Sequence, residues 1–179
     1  MDAATALIVV DVQQAFDDVA YWGRRNNPEC EANVAALIHA WRGPRVYVRH
    51  DSDEPDSPLR PDRPGNAFKP EVTGEPDLLV TKQVNSAFYG SPDLDAWLRA
   101  RGISSFALCG ITTNHCVETT ARMGGNLGYD VLFVLDACAT FDRTGPDGEV
   151  VTAEELTRAT AASLHDEFAT VVSTRDLLS

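Results

Sequence analysis

Six short apolar runs, separated by stretches with helical spacing or by turn residues, set the pattern of this chain. Ala6-Leu-Ile-Val-Val10 is continuously apolar, as a strand covered on both faces must be. Arg45–Arg49, Leu78–Thr81, Ser105–Cys109, Val131–Leu135 and Ala169–Val172 read as five further strands. Pro28 to Trp41 carries a helical stripe at Val34, Leu37, Ile38 and Trp41. Ser91-Pro92 reads as a cap followed by proline at the first helical position. Leu94, Trp97 and Leu98 form that helix's buried face and Gly102 its stop. Val117, Ala121 and Leu127 recur at helical spacing up to Gly128. Thr152-Ala-Glu-Glu155 has the form of a capping box for a helix reaching about Asp166, and Thr174 to Leu178 reads as a terminal helical turn. The alternation predicts a doubly wound α/β fold, a six-stranded parallel sheet with helices on both faces.

One segment breaks the rhythm. From Asp51 to Asp77 the chain carries Pro55, Pro58, Pro61, Pro64, Pro70 and Pro76, an irregular excursion of the length that is functional or disordered in a compact domain. No repeat, low-complexity tract or linker interrupts the rest, so residues 1–179 are read as one domain. The net charge of −12 argues against nucleic acid, whose phosphates it would repel. The start, Met-Asp-Ala-Ala-Thr, lacks a basic region, and Ala6 to Val10 is too short for a signal peptide core or a membrane span. The expectation is a cytoplasmic protein without membrane association. Its four cysteines then read as reduced thiols, and no CxxC pair suggests structural zinc.

Reactive residues gather where strands end. Gly110-Ile-Thr-Thr-Asn-His-Cys-Val-Glu-Thr-Thr-Ala-Arg122 follows the fourth strand and places Cys116 where strand turns into helix. The carboxyl edge of a parallel sheet is where ligands bind, and a helix N-terminus stabilises a thiolate. Asp11 ends the first strand and Lys82 the third, on the same predicted edge. Singly, these are a cap residue, a surface lysine and a packing thiol; together they form a nucleophile with a proton acceptor and a charge partner. Cys30, Cys109 and Cys138 are expected to be packing residues.

With these segments the sequence resembles the isochorismatase-like cysteine hydrolases, a superfamily that includes nicotinamidases and N-carbamoylsarcosine amidase. The matching stretches are Ala6 to Gln13, Thr81 to Phe88 with Leu94, Gly110 to Arg122, Gly128 to Val131 and Asp136 to Ala139. The resemblance implies the isochorismatase-like fold, a catalytic Asp11-Lys82-Cys116 triad, and a cis peptide at Ile111–Thr112. It also implies an oxyanion hole from the backbone N–H groups of Thr112 and Cys116, and a homo-oligomer, either dimer or tetramer. The implied reaction is cleavage of a C–N bond in a small amide or lactam through a cysteine thioester, with Lys82 and the helix N-terminus favouring the thiolate. True isochorismatases cleave a vinyl ether and lack this cysteine, so Cys116 argues against that reaction.

Some members of that superfamily hold zinc or iron through Asp-x-His after strand two. Here the place reads His50-Asp51-Ser52-Asp53, so no metal and no other cofactor is expected. His39, His115 and His165 are read as surface or packing residues. Phe16, Tyr21, Trp22, Phe88 and Phe141, with Asn114, are the candidate substrate-binding residues. Asp51, Asp53, Glu54 and Asp56 give the excursion an acidic start that could attract a cationic substrate, and streptothricin hydrolases, which open a lactam, are similar enough to make that lactam one candidate. Two other classes compete. A nucleotide binder of the same architecture would need G-x-G-x-x-G after strand one, where Asp-Val-Gln-Gln stands. A scaffold or pseudoenzyme of the isochorismatase fold would bind a small molecule without turnover.

Overall fold

The run from Ala6 to Val10 is the centre of the sheet. β1 (Thr5–Val10) lies parallel between two neighbours, and Ala6 through Val10 have no exposed surface. A strand covered on both faces has no solvent side on which a polar residue would be stable, which accounts for its unbroken apolar sequence. The computed structural model describes residues 5–178; residues 1–4, included in the reading of the N-terminus, lie outside the described residues.

The short α1 (Val19–Trp22) and the longer α2 (Cys30–Ala40) lead to β2 (Arg45–His50). β3 (Leu78–Lys82) follows the proline-rich excursion, and α3 (Leu94–Ala100) leads to β4 (Ser105–Ile111). A π-helical turn over Thr113–Val117 then opens α4 (Glu118–Asn126). β5 (Asp130–Ala139), the hairpin of β6 (Arg143–Thr144) and β7 (Val150–Val151), α5 (Ala153–Leu164), β8 (Thr170–Val172) and α6 (Thr174–Leu178) complete the order. Six strands form one parallel sheet in the order β3-β2-β1-β4-β5-β8. The crossover from β1 to β2 steps one way along the sheet, while those from β4 to β5 and β5 to β8 step the other way. Right-handed connections therefore place α2 on one face and α4 and α5 on the other. The packing agrees, with α2 against α6 and α4 against α5. The doubly wound sheet expected from the sequence is present.

Several boundaries differ from the sequence reading for local reasons. Ser91–Pro92 is a cis bond lying before α3, whose cap is Asp93 accepting from Ala96 N at 3.0 Å. β5 runs to Ala139 and not to Leu135, with a register irregularity against β4 between Leu108 and Gly110. α1 and the β6–β7 hairpin had no counterpart in the sequence reading. The capping box is complete: Glu155 N donates to Thr152 Oγ1 (3.2 Å) and Thr152 N to Glu155 Oε2 (2.8 Å). At Gly110 (φ +133°) a Cβ would fall 2.0 Å from the Val10 carbonyl oxygen, so only glycine lets β4 lie beside β1 there.

The excursion is pinned to the sheet edge. Buried Gln13 donates its amide to the carbonyls of His50 (3.1 Å) and Asn66 (2.8 Å) and accepts from His50 N (2.9 Å). Asn66 Nδ2 in turn reaches the carbonyls of His50 (3.0 Å) and Leu59 (2.8 Å). Buried amides with satisfied partners hold one arrangement, because losing a partner costs more than the bond contributes. Among the described residues no helix is long and apolar enough to cross a membrane.

Candidate active site

Outward growth of the sheet reverses between β1 and β4, and the carboxyl ends of strands at such a switch point flank a crevice. Asp11 stands one residue past β1, with its N–H on the Val48 carbonyl (2.9 Å) and a left-handed φ of +53° that aspartate tolerates. His50 is the last residue of β2 and sits in register with Lys82, the last of β3. Cys116 lies in the π-helical turn after β4.

Lys82 joins them. β3 lies two strand spacings from β1, about 10 Å, and the long lysine stem spans that gap. Its Nζ is 2.5 Å from Asp11 Oδ2, 3.1 Å from His50 Nδ1 and 3.4 Å from Cys116 Sγ. Each ammonium hydrogen thus has an acceptor, and the Lys82 and Asp11 side chains have no exposed surface. Burial is the largest influence and would lower the Lys82 pKa, but the Asp11 charge, the neighbouring Cys116 and the hydrogen bonds to both together outweigh it, so the ammonium is held above its ordinary value and stays charged. Burial, and then Lys82 itself, push His50 below its ordinary value, leaving a neutral ring whose Nδ1 accepts from Lys82.

The thiol behaves otherwise than the sequence suggested. Burial is the main influence on Cys116 and Asp11 adds to it; together they raise the thiol pKa despite the opposing pull of Lys82. The α-helix begins at Glu118, after the wide turn, so Cys116 does not stand at its cap. The expected net push toward the thiolate is therefore corrected: Cys116 is a thiol, which donates to Asn85 Oδ1 at 3.6 Å, beside an Asp11–Lys82 ion pair. Asp11 Oδ1 is buried without a hydrogen-bond partner among the described residues. The arrangement can take up one proton at that oxygen without breaking a protein hydrogen bond.

A cavity of about 230 Å³ opens above Asp11 and Cys116. Phe16, Tyr21 and Trp22 form part of its lining, as expected, and His50, Asn85 and Thr112 contribute on the strand side. The excursion supplies Ser52, Glu54, Ser57 and Leu59. Thr112 follows a cis bond from Ile111, as the resemblance implied. Three candidate binding residues are corrected. Phe141, only 1% exposed, backs the wall by stacking on Trp22 (5.5 Å) and Phe16 (6.0 Å) without lining the cavity. Phe88 packs with Phe106 and Tyr129 in the core. Asn114 is turned to Thr140, whose Oγ1 donates to it at 2.5 Å.

Polar residues near the site also sort differently from their sequence reading. His115, expected to be a surface or packing residue, lines the cavity, whereas His39 and His165 are exposed outside it. Of the four loop acids only Glu54 lines the cavity: Asp51 is held by Arg49 (2.9 Å) and Asn66 (3.0 Å), and Asp53 by Gln83 (2.8 Å). The carboxylate left from the Asp-x-His place is thus already committed to protein donors and does not fit a metal there. Cys30, Cys109 and Cys138 are buried packing thiols. His50 and Asn85 were quoted within motifs but given no role. Their signal was position: His50 ends a strand on the edge that holds Asp11, and Asn85 lies three residues past Lys82.

A family model described as the isochorismatase domain matches residues 5–176. The chain belongs to the isochorismatase family. An uncharacterised isochorismatase family protein of Bacillus subtilis is 39% identical, with 100% of this chain and 97% of that protein covered. A solved isochorismatase-family structure from Chromobacterium violaceum superposes with a TM-score of 0.93 at 42% identity, covering 99% of this chain and 93% of that one. A cysteine hydrolase from Pseudomonas syringae pv. phaseolicola superposes at 0.87 with 27% identity, covering 99% and 92%. Streptothricin hydrolase of Streptomyces noursei is 31% identical over 90% of this chain and 60% of its own length. Members of the isochorismatase family are hydrolases, and a cysteine hydrolase stands among this chain's structural neighbours.

Proposed function

We propose that this isochorismatase-family protein hydrolyses the C–N bond of a small amide or lactam through a thioester on Cys116. The observation that carries the reading is the unpartnered, buried Asp11 Oδ1 beside the Cys116 sulfur at the cavity. As Sγ attacks the carbonyl, Asp11 takes the thiol proton, so the costly buried thiolate never accumulates. Backbone N–H groups of Thr112 and Cys116 receive the oxyanion. Asp11 then gives the proton to the departing nitrogen, since an amide anion is too basic to leave unprotonated. The thioester remains. Water, losing a proton to Asp11, hydrolyses it and the thiol is restored. Lys82 stays charged throughout and offsets the negative charge as it moves between Asp11 and Cys116.

The cavity is smaller than sites for drug-sized ligands, which run from about 300 Å³. A small amide enters whole, whereas a larger molecule enters by its amide end only. Streptothricin-type lactams, suggested by the relative at 31% identity, belong to the second kind. The test is release of ammonia or amine from a panel of amides and lactams by wild type and by Cys116→Ala. Turnover by the wild type alone supports the reading. Equal turnover by Cys116→Ala refutes the covalent route, and binding with no product from any panel member refutes the enzyme.

A further inference from the structure

Asp11, His50 and Cys116 offer an oxygen, a nitrogen and a sulfur ligand atom, all within 4.8 Å of one another, and the Lys82 ammonium is hydrogen-bonded to all three. We propose that this triangle is a site for a thiophilic divalent cation that Lys82 keeps closed, its ammonium standing where the metal would stand. One thiolate, one imidazole and one carboxylate are a donor set that zinc takes. The distances from Nζ, 2.5, 3.1 and 3.4 Å, exceed those of zinc to oxygen, nitrogen and sulfur by about 1 Å or less. Small inward movements of the three side chains would close the shell.

The site is distinct from the Asp-x-His place, whose Asp51 is engaged by Arg49 and Asn66. The ring of His50 already presents Nδ1 as a lone pair toward the shared point. What excludes the metal is charge and volume: a fully buried ammonium fills the space, and adding a dication beside it leaves two cations for two anions at most. Remove the ammonium and the balance inverts. The buried Asp11 carboxylate loses its counter-charge, and a divalent ion restores it. Binding converts the Cys116 thiol to a metal thiolate and releases its proton to solvent; His50 and Asp11 bind without losing one.

The test is metal binding, not turnover, so it stands apart from the proposed reaction. Lys82→Ala titrated with Co²⁺ should develop a sulfur-to-cobalt charge-transfer band that saturates at one ion per chain and is displaced by Zn²⁺. Wild type at the same concentrations should show none. Lys82→Ala/Cys116→Ser should lose the charge-transfer band, and Lys82→Ala/His50→Ala should bind at least tenfold more weakly. Should Lys82→Ala fold poorly, the same claim is read from stability: zinc at a hundredfold excess over its dissociation constant should raise its Tm by about 5–10 °C and leave wild type unmoved. A band of equal strength in wild type, or no band and no zinc-dependent rise of Tm in Lys82→Ala, would overturn the proposal.

Discussion

Replacing Asp11 by asparagine should separate two properties that a simple activated-thiol picture ties together, thiol reactivity and turnover. Asp11 and Cys116 ligand atoms lie within 4.8 Å of each other, both side chains buried. At that separation and an effective dielectric of 20, the carboxylate disfavours a thiolate by about 3.5 kcal/mol, or two to three powers of ten in thiolate fraction. Asparagine keeps the shape and removes the charge, leaving Lys82 to pair with the thiolate. Iodoacetamide should therefore modify Cys116 on the order of a hundredfold faster in Asp11→Asn than in wild type at the same pH below the thiol's titration. Amide turnover should fall by several orders of magnitude, because no group remains to protonate the leaving nitrogen. The assay is intact-protein mass against time from neutral to alkaline pH, with buried Cys30, Cys109 and Cys138 as internal controls. In wild type the rate should keep rising beyond the ordinary thiol range, since the Cys116 pKa is raised. Alkylation of Asp11→Asn no faster than wild type would refute the electrostatic reasoning.

The other predictions concern parts the sequence did not assign or assigned differently. Burial alone would raise the Glu31 pKa, but hydrogen bonds from Arg25 and Lys69 outweigh it and bring it to about 2 from an ordinary 4.5. That stabilisation is fully present above the unfolded value and lost as pH falls through the folded one, so Glu31→Gln should cost roughly 3 kcal/mol at neutral pH in denaturant melts, with the gap closing by about pH 2; a constant gap would contradict the linkage. Phe88→Ala should cost about 3–5 kcal/mol of stability yet leave kcat/KM of the folded protein intact, whereas Trp22→Ala should raise KM with less effect on stability; the reverse pattern would return Phe88 to the pocket. Turnover should survive dialysis against a chelator, because Lys82 and not a metal supplies the buried positive charge; loss restored by zinc would contradict this.

Much of the fold was legible because it rests on local patterns. β1 is apolar without a break, and the capping box of α5 is written in Thr152 and Glu155. β5 was read only over its apolar run to Leu135, yet the strand continues through Asp136, whose carboxylate accepts from Thr174 N at 2.7 Å and so caps α6 from inside a strand. The β6–β7 hairpin has two residues per strand and therefore no period to detect. Aromatic residues near strand ends look alike in sequence, and only packing separates Trp22 at the cavity from Phe88 in the core. The candidate site divides in the same way. Asp11, Lys82 and Cys116 could be read from strand ends and a motif, but His50 gains meaning only because β2 lies between β1 and β3. The direction of the Cys116 pKa shift was not legible, since helix-end reasoning favours the thiolate, whereas a π-helical turn, burial and the Asp11 charge act there against it.

The most direct test of the central claim is the mass of the intact protein under single-turnover conditions with an amide or lactam that the enzyme hydrolyses. Rapid acid quenching should reveal a transient adduct of the acyl portion, located to Cys116 by peptide mapping and absent from Cys116→Ala. In Asp11→Asn the adduct should fail to form at a comparable rate. Full product release with no acyl adduct at any time, or an adduct on a different residue, would contradict the thioester mechanism.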